Sequence, residues 1–552
     1  MLDKFLSFRR RFEPEHPPLV PLSRTDLWIA LSLAGVVVLL GAWQMVVGVC
    51  GVFHDDAIYV ITAKALAQGE GYRLIDLPNA PLQTKYPILY PALLSIIWKI
   101  WPAFPENLLA MQWLSLLAGA ATVALAYLYL VRFDYTSRGV ALIASLLCAT
   151  STFFLYFCTL TLSEMPYALI SVLALWAIER QTRFPRVKPG VEIALGLLLA
   201  LPFLTRAIGL VLVPAGIISL YLAGRRIRWV SLGAALIVLP WISWMLGGSQ
   251  WSSNQIDTYY TNYGSWWSSF GLVNLSRLFF INLFYTPVSM VTISIKLFGK
   301  ITEHLILFTI TYSIVSIVVI LALFKQMMHN RILAYYLMGY LLIISVWPWP
   351  PSRFLVPILP FLLVFLFEEI RKTVRKYLPI CIKSLLIPLI LILIAVNLGS
   401  IYQLGKLNRT MFYPYPAFVK EYASWTSYSS LFRWINSNTQ ADDIIASGLD
   451  TMVYLYTGRR AFRPFSMNPI LLFYAQDSPP MTTDGLIDIL MDYQPQYLIQ
   501  TPMPIFSEEK PFSEIINETF IKYPGLFKSV YVGKDKRFLI FKIQADLLIS
   551  RN

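Results

Sequence analysis

The chain has 552 residues, of which 57% are hydrophobic and only 14% charged, and its mean hydropathy is +0.60. Soluble domains carry roughly 25% charged residues, so this composition excludes a soluble globular protein. The net charge of +14 comes largely from Lys and Arg in short segments between apolar runs, where they meet lipid headgroups rather than nucleic acid.

Residues 1–25 are basic and lead into an apolar run of full spanning length without a small-residue cleavage pattern, which predicts a retained signal anchor. Spans are predicted near 26–49, 107–131, 139–157, 163–180, 191–204 and 207–222, then near 229–247, 304–323, 332–347, 353–370 and 379–402. The fold class is therefore a polytopic α-helical membrane protein with eleven spans. Basic connections alternate with others in which cations are sparser or balanced by acids. The basic set includes Arg9, Arg10 and Arg11, then Arg132 with Arg138, Arg180 with Arg183, Arg225 with Arg226, Lys325 with Arg331, and Arg371 with Lys372. The positive-inside rule then places the N-terminus in the cytoplasm.

Residues 88–104 are apolar enough to cross, but a crossing there would turn the next basic loops outward. They are predicted to lie in the outer interface, where Trp98, Lys99 and Trp101 suit the headgroup region. The organisation expected is a cytoplasmic segment 1–25 and a transmembrane domain 26–402, with an outer loop 50–106 and an outer insertion 250–302, followed by 403–552. The insertion is rich in Trp251, Tyr259, Tyr260, Tyr263, Trp266 and Trp267, a membrane-interface belt or a platform for a sugar ring. The last segment is predicted to be a small extracytoplasmic α/β domain. It has strand-like runs at 496–499 and 537–541, and a short helix from Asp450 that ends at Gly458. Cys50, Cys148, Cys158 and Cys381 lie in or beside apolar segments without metal-ligand spacing and read as small core residues.

Polar residues near the outer ends of spans are few. Asp55 and Asp56 follow the first span, Lys85 precedes the interfacial stretch, and Glu164 opens the fourth span. Arg206 occupies the tight turn after the fifth span, and Arg353 opens the tenth. Lys64, Glu70, Arg73 and Asp76 share this side but sit mid-loop and are expected to be solvated. Each residue also has a structural reading. Arg206 and Arg353 would snorkel or pair with Asp55 and Glu164, Lys85 would anchor at the interface, and Glu164 would favour a helix N-terminus. His54 reads as an interfacial polar residue rather than a metal ligand.

Taken together, three carboxylates and three cations on one membrane face suit transfer of a sugar from a lipid phosphate. The cations neutralise the phosphate, and a carboxylate takes the proton of the attacking hydroxyl. A transporter of lipid-linked sugars would instead need ionisable groups in mid-span, and a non-catalytic subunit would work through the outer domain alone.

The motifs His54-Asp55-Asp56 with Tyr59, Lys85-Tyr86-Pro87, Ser163-Glu164-Met165-Pro166, Thr205-Arg206 and Ser352-Arg353-Phe354 occur in an order and on a side that resemble the GT-C glycosyltransferases. Within these the chain is most similar to the group of dolichyl-phosphate-mannose-protein mannosyltransferases and the aminoarabinose transferase of lipid A, over about residues 20–410. The resemblance implies a polyprenyl-phosphate sugar donor, an acceptor glycolipid, glycan or protein, and inverting transfer outside the cytoplasm at the plasma membrane. It implies Asp55 as general base, with Asp56 and Glu164 as further catalytic acids. Lys85, Tyr59, Tyr86, Arg206 and Arg353 would bind substrate. Glu164 departs from the aspartate of the aminoarabinose-transferase-like members. A divalent metal is used by some members and not by others, so the resemblance leaves metal dependence open.

Overall fold

The computed structural model describes residues 18–51, 53–183, 188–249, 260–262, 271–294, 305–377, 380–411, 425–465, 482–501, 512–534 and 536–549. Trp251, Tyr259, Tyr263, Trp266 and Trp267 lie outside the described residues. The chain forms two compact units. The first comprises Met1–Met45, Gln112–Ser243 and Leu272–Gln403, and the second Val46–Met111, Trp244–Gly271 and Leu404–Asn552.

The regular elements among the described residues of the first unit are helices. Long apolar helices Arg24–Gln44 and Leu108–Arg132 each suffice to cross a bilayer, as do Arg228–Gly248 and Ile387–Arg409. Arg138–Ala149 and Thr152–Cys158 together pass the same test but are bent by 66°. Shorter apolar helices include Pro189–Thr205, Ala207–Leu222 and Ile332–Ser345. Within the Trp/Tyr-rich insertion lies a 24-residue helix, Gly271–Ser294. Polar Asn274, Ser276, Arg277 and Asn282 interrupt its apolar pattern in the sequence. Asn282 is buried there, and its amide donates to the carbonyls of Ile344 and Trp347.

One crossing in this unit brings two backbones together. A Cβ added at Gly196 would fall 2.0 Å from the carbonyl oxygen of Val230, and one at Gly233 would fall 2.2 Å from that of Ile193. Helices Pro189–Thr205 and Arg228–Ser249 therefore touch at glycines, as small residues permit in lipid.

In the second unit, helices Asp55–Gln68 and Leu89–Ile100 pack together, with the Trp98 indole donating to the Val60 carbonyl at 3.1 Å. The second of these has 12 residues and reaches roughly 18 Å, well short of a roughly 30 Å hydrocarbon core. Its other face exposes Ile96, Lys99 and Ile100, which fits a helix lying along an interface.

The C-terminal part of this unit is a five-stranded sheet of order β2-β1-β3-β5-β4. Its strands are β1 (Ile445–Ser447), β2 (Ala461–Phe462), β3 (Tyr497–Gln500), β4 (Phe527–Val532) and β5 (Leu539–Ile543). β1 runs parallel to β2 and β3, while β5 is antiparallel to β3, pairing Leu498 with Phe541, and to β4. Helix Trp425–Asn438 buries Tyr428, Leu431, Phe432 and Ile435, a period-3.6 stripe, against this sheet. Helix Asp450–Thr457 stops at Gly458, whose φ of 76° is open to glycine.

Candidate active site

The acidic pair starts helix Asp55–Gln68, where two carboxylates meet unpaired amides and the positive end of the helix dipole. Its two members differ. Asp56 is buried and folds back on its own loop, accepting from the Gly51 amide at 2.8 Å and the Phe53 amide at 3.1 Å. Burial pushes its carboxyl up, while those amides pull the other way. Asp55 is half-buried and accepts the Tyr86 hydroxyl at 2.5 Å.

Gln83, which the sequence did not single out, shapes the loop that brings Lys85 and Tyr86 to this place. It is buried, and its side-chain oxygen accepts from the backbone amides of Lys85 at 2.7 Å and Tyr86 at 3.1 Å. The Tyr72 hydroxyl adds a bond to the Tyr86 carbonyl at 2.8 Å. Lys85 is 4% exposed. Burial pushes its ammonium down to about 7; Asp55 opposes that shift and Arg463 adds to it. Tyr59 is buried edge-on against Tyr86 and Tyr90, with centroids 5.4 and 5.2 Å away. It supports Tyr86 by packing.

Glu164, Arg206 and Arg353 come together in the first unit. Glu164 is fully buried in the first turn of helix Glu164–Arg183. Its Oε1 lies 2.8 Å from Arg206 Nη1 and 2.5 Å from Arg353 Nε. Arg206 ends helix Pro189–Thr205 in extended backbone and also donates to Ser163 Oγ at 3.1 Å. Arg353 sits on the short helix Pro351–Leu355. Of the structural readings open for these residues, pairing of both arginines with Glu164 is the one found. Asp55, Asp56, Lys85, Tyr59 and Tyr86 are assembled within the second unit.

Several further polar groups surround the acidic helix. Asp450 is fully buried beside His54 Nε2 at 3.2 Å and Arg463 Nη2 at 3.4 Å, and it accepts the Tyr260 hydroxyl. Burial raises its carboxyl, but Arg463 and then His54 outweigh that and hold it at about 2. Asp76, expected to be solvated, is instead fully buried, because its neighbours Leu74, Ile75 and Leu77 carry the loop into the core. Burial, and then the charge of Asp450, push its carboxyl up to about 8. Lys64 is half-buried, with its ammonium 4.8 Å from the Tyr454 ring centroid, whereas Glu70 and Arg73 are exposed as expected. The apolar run at 74–77 was the available signal for Asp76; Asp450 was marked only as a helix start and Tyr260 only as one of an aromatic cluster, and Arg463 had no signal.

Among the described residues no three His, Cys, Asp or Glu side chains converge as metal ligands. Elsewhere in the first unit, Phe279, Leu283, Met290, Val319, Leu342 and Leu362 line an apolar cleft.

Residues 85–245 match the family model of the dolichyl-phosphate-mannose-protein mannosyltransferases. No curated protein sequence matches the chain. Among solved structures, ArnT from Cupriavidus metallidurans bound to undecaprenyl phosphate is similar at 12% identity and a TM-score of 0.53, covering 95% of this chain and 99% of that one. Its apo state gives a TM-score of 0.55 at the same identity and coverage. The Archaeoglobus fulgidus oligosaccharyltransferase tethered to an acceptor peptide is similar at 13% identity and a TM-score of 0.51, over 94% of this chain and 74% of that one. The matched family segment begins at Lys85, and the similarity of fold to these solved structures extends over nearly the full length of the chain.

Proposed function

We propose that this protein transfers a sugar from a polyprenyl phosphate to an acceptor on the non-cytoplasmic face of the plasma membrane, with inversion at the anomeric carbon. The observation that carries this reading is the junction at Tyr86, where a half-buried carboxylate, Asp55, and a buried ammonium, Lys85, share one loop and helix end. Asp55 takes the proton of the acceptor hydroxyl as that oxygen bonds to the anomeric carbon. The bond from that carbon to the phosphate oxygen breaks, and the polyprenyl phosphate leaves with its charge held by Lys85 and Arg353. Asp56 holds the loop that presents Asp55. Glu164 carries one negative charge against two guanidiniums, which supports a role in aiming Arg206 and Arg353 at phosphate rather than in proton transfer. The apolar cleft suits a prenyl chain.

Eleven spans, a cytoplasmic N-terminus and an extracytoplasmic sheet domain at 403–552 complete this reading. The alternation of basic connections supports it. The test is Asp55→Asn in membranes supplied with undecaprenyl-phosphate mannose, glucose and aminoarabinose as a donor panel. Release of undecaprenyl phosphate is expected to fall by about 10²–10⁴-fold, the span of general-base catalysis. Release at the wild-type rate would remove Asp55 as the base.

A further inference from the structure

Asp55 is presented by an unusual turn. His54 has φ 65° and ψ −52°, and the Asp55 amide donates to the Phe53 carbonyl at 2.7 Å across it. This is a γ-turn of the positive-φ kind, rare and strained for a residue with a side chain. Strain of this sort persists only where the surroundings fix it, and it collects at functional sites.

Besides Asp56, which takes the Gly51 and Phe53 amides, one short helix fixes it here: Asp450–Thr457, nearly 400 residues further along the chain. Asp450 Oδ2 lies 3.2 Å from His54 Nε2 and accepts the Tyr260 hydroxyl as well. The Tyr260 ring also lies beside the imidazole, with centroids 5.6 Å apart. From the same helix, the Tyr456 hydroxyl accepts the Cys50 amide at 3.0 Å and donates to the Gly48 carbonyl at 2.9 Å. Met452 leaves no space for a side chain at Gly51, since a Cβ there would fall 2.2 Å from its Cγ. The loop at 48–54 is thus gripped at three points by residues of a single helix.

We infer that Asp450 is a positioning residue for the glycosyl transfer: through His54 it holds the strained turn that aims Asp55 at the acceptor. The inference rests on Asp55 being the base, and it gives the C-terminal segment a part in the chemistry as well as any part in choosing the acceptor. Asp450 moves no proton and touches no reacting atom.

The test uses the full-length protein in detergent and in membranes, as Asp450→Asn, His54→Gln, the double variant and Tyr260→Phe. Hydrogen exchange is read by mass spectrometry on peptides covering 48–60 and, as a control, those covering β3 and β5. Turnover of the donor panel is read alongside. The two single variants are expected to speed exchange at 48–60 with β3 and β5 unchanged. They should lower kcat by about 10²-fold, the scale of a misplacement near 1 Å, and leave KM within about 2-fold. The double variant should be no worse than either single one, because the two residues act as a unit. Tyr260→Phe should give a smaller loss of the same kind, and with His54→Gln it keeps the test decisive if Asp450→Asn does not fold.

Wild-type exchange at 48–60 in His54→Gln or Asp450→Asn would overturn the inference. So would additive losses in the double variant, or a change in KM with kcat intact, which would place Asp450 on a substrate. Each of these leaves the role of Asp55 standing if Asp55→Asn is inactive. An active Asp55→Asn would overturn the base and the positioning role together.

Discussion

Helix Glu164–Arg183 carries a buried glutamate at each end, roughly 22 Å apart, and each glutamate holds two arginines. At Glu179 the arginines are Arg183 at 3.3 Å and Arg331 at 3.2 Å, with side chains 8% and 3% exposed. Two tyrosine hydroxyls also donate to Glu179, from Tyr135 at 2.8 Å and Tyr129 at 3.3 Å. At Glu164 the arginines are Arg206 and Arg353, 10% and 19% exposed. The first cluster is enclosed by aromatic side chains, and Arg331 lies over the Tyr135 ring at 3.8 Å. The second leaves Arg353 partly exposed. One arrangement of charge thus serves as a lock at one end and, on the proposed function, as a receptor for phosphate at the other. Burial decides which.

The largest expected effect separates the two ends by stability. Glu179→Gln leaves a nearly inaccessible guanidinium facing a neutral amide and should cost about 3–5 kcal/mol. Glu164→Gln should cost about 1.5–3 kcal/mol, the scale of hydrogen bonds to charged groups, because one of its two arginines, Arg353, retains access to water. Thermal unfolding in detergent reads both, and equal losses would break the comparison.

Next in size, Arg353→Ala should weaken binding of undecaprenyl phosphate by about 10- to 100-fold, equivalent to one charge-assisted hydrogen bond of 1.5–3 kcal/mol. Titration of the detergent-purified protein measures this, and unchanged affinity would make the Glu164 end a second lock.

A last and smaller effect distinguishes arginine from lysine in holding phosphate. Lys85, titrating at about 7 when no ligand is bound, is cationic below that pH and neutral above it. Undecaprenyl phosphate affinity should therefore fall by about 10-fold between pH 6 and pH 8, since only the charged form attracts the anion. The fall should vanish in Lys85→Arg, because a guanidinium stays charged throughout. A slope that survives this substitution would assign the titration to another group.

How much of this was legible depended on how local each signal was. Glu164, Arg206 and Arg353 stood out because each breaks an apolar run on the same predicted side, and they do meet. The helix at Asp450 was marked by its glycine stop, and β3 and β5 by runs of aromatic and branched residues. What the Asp450 side chain does was invisible, since its partner His54 lies 396 positions away and periodicity reports only neighbours along the chain. Glu179 was hidden differently. It sits among Arg180, Arg183 and Lys188, so a count of loop charge absorbs it into a basic cluster. Asp76 was misplaced because a single carboxylate in a loop is usually wet, and only the aliphatic residues around it indicate otherwise.

The crossing of Gly196 and Gly233 answers to none of these variables. It contains no charge to screen, no group to titrate and no hydroxyl to exchange, so salt, acidity and headgroup composition leave it unchanged. Shape alone governs it. A methyl group on either glycine drives a carbon into the opposing main chain, which no rotamer change relieves. In the evolution of this protein the two positions are therefore bound to each other: neither helix can gain bulk here unless the pair separates.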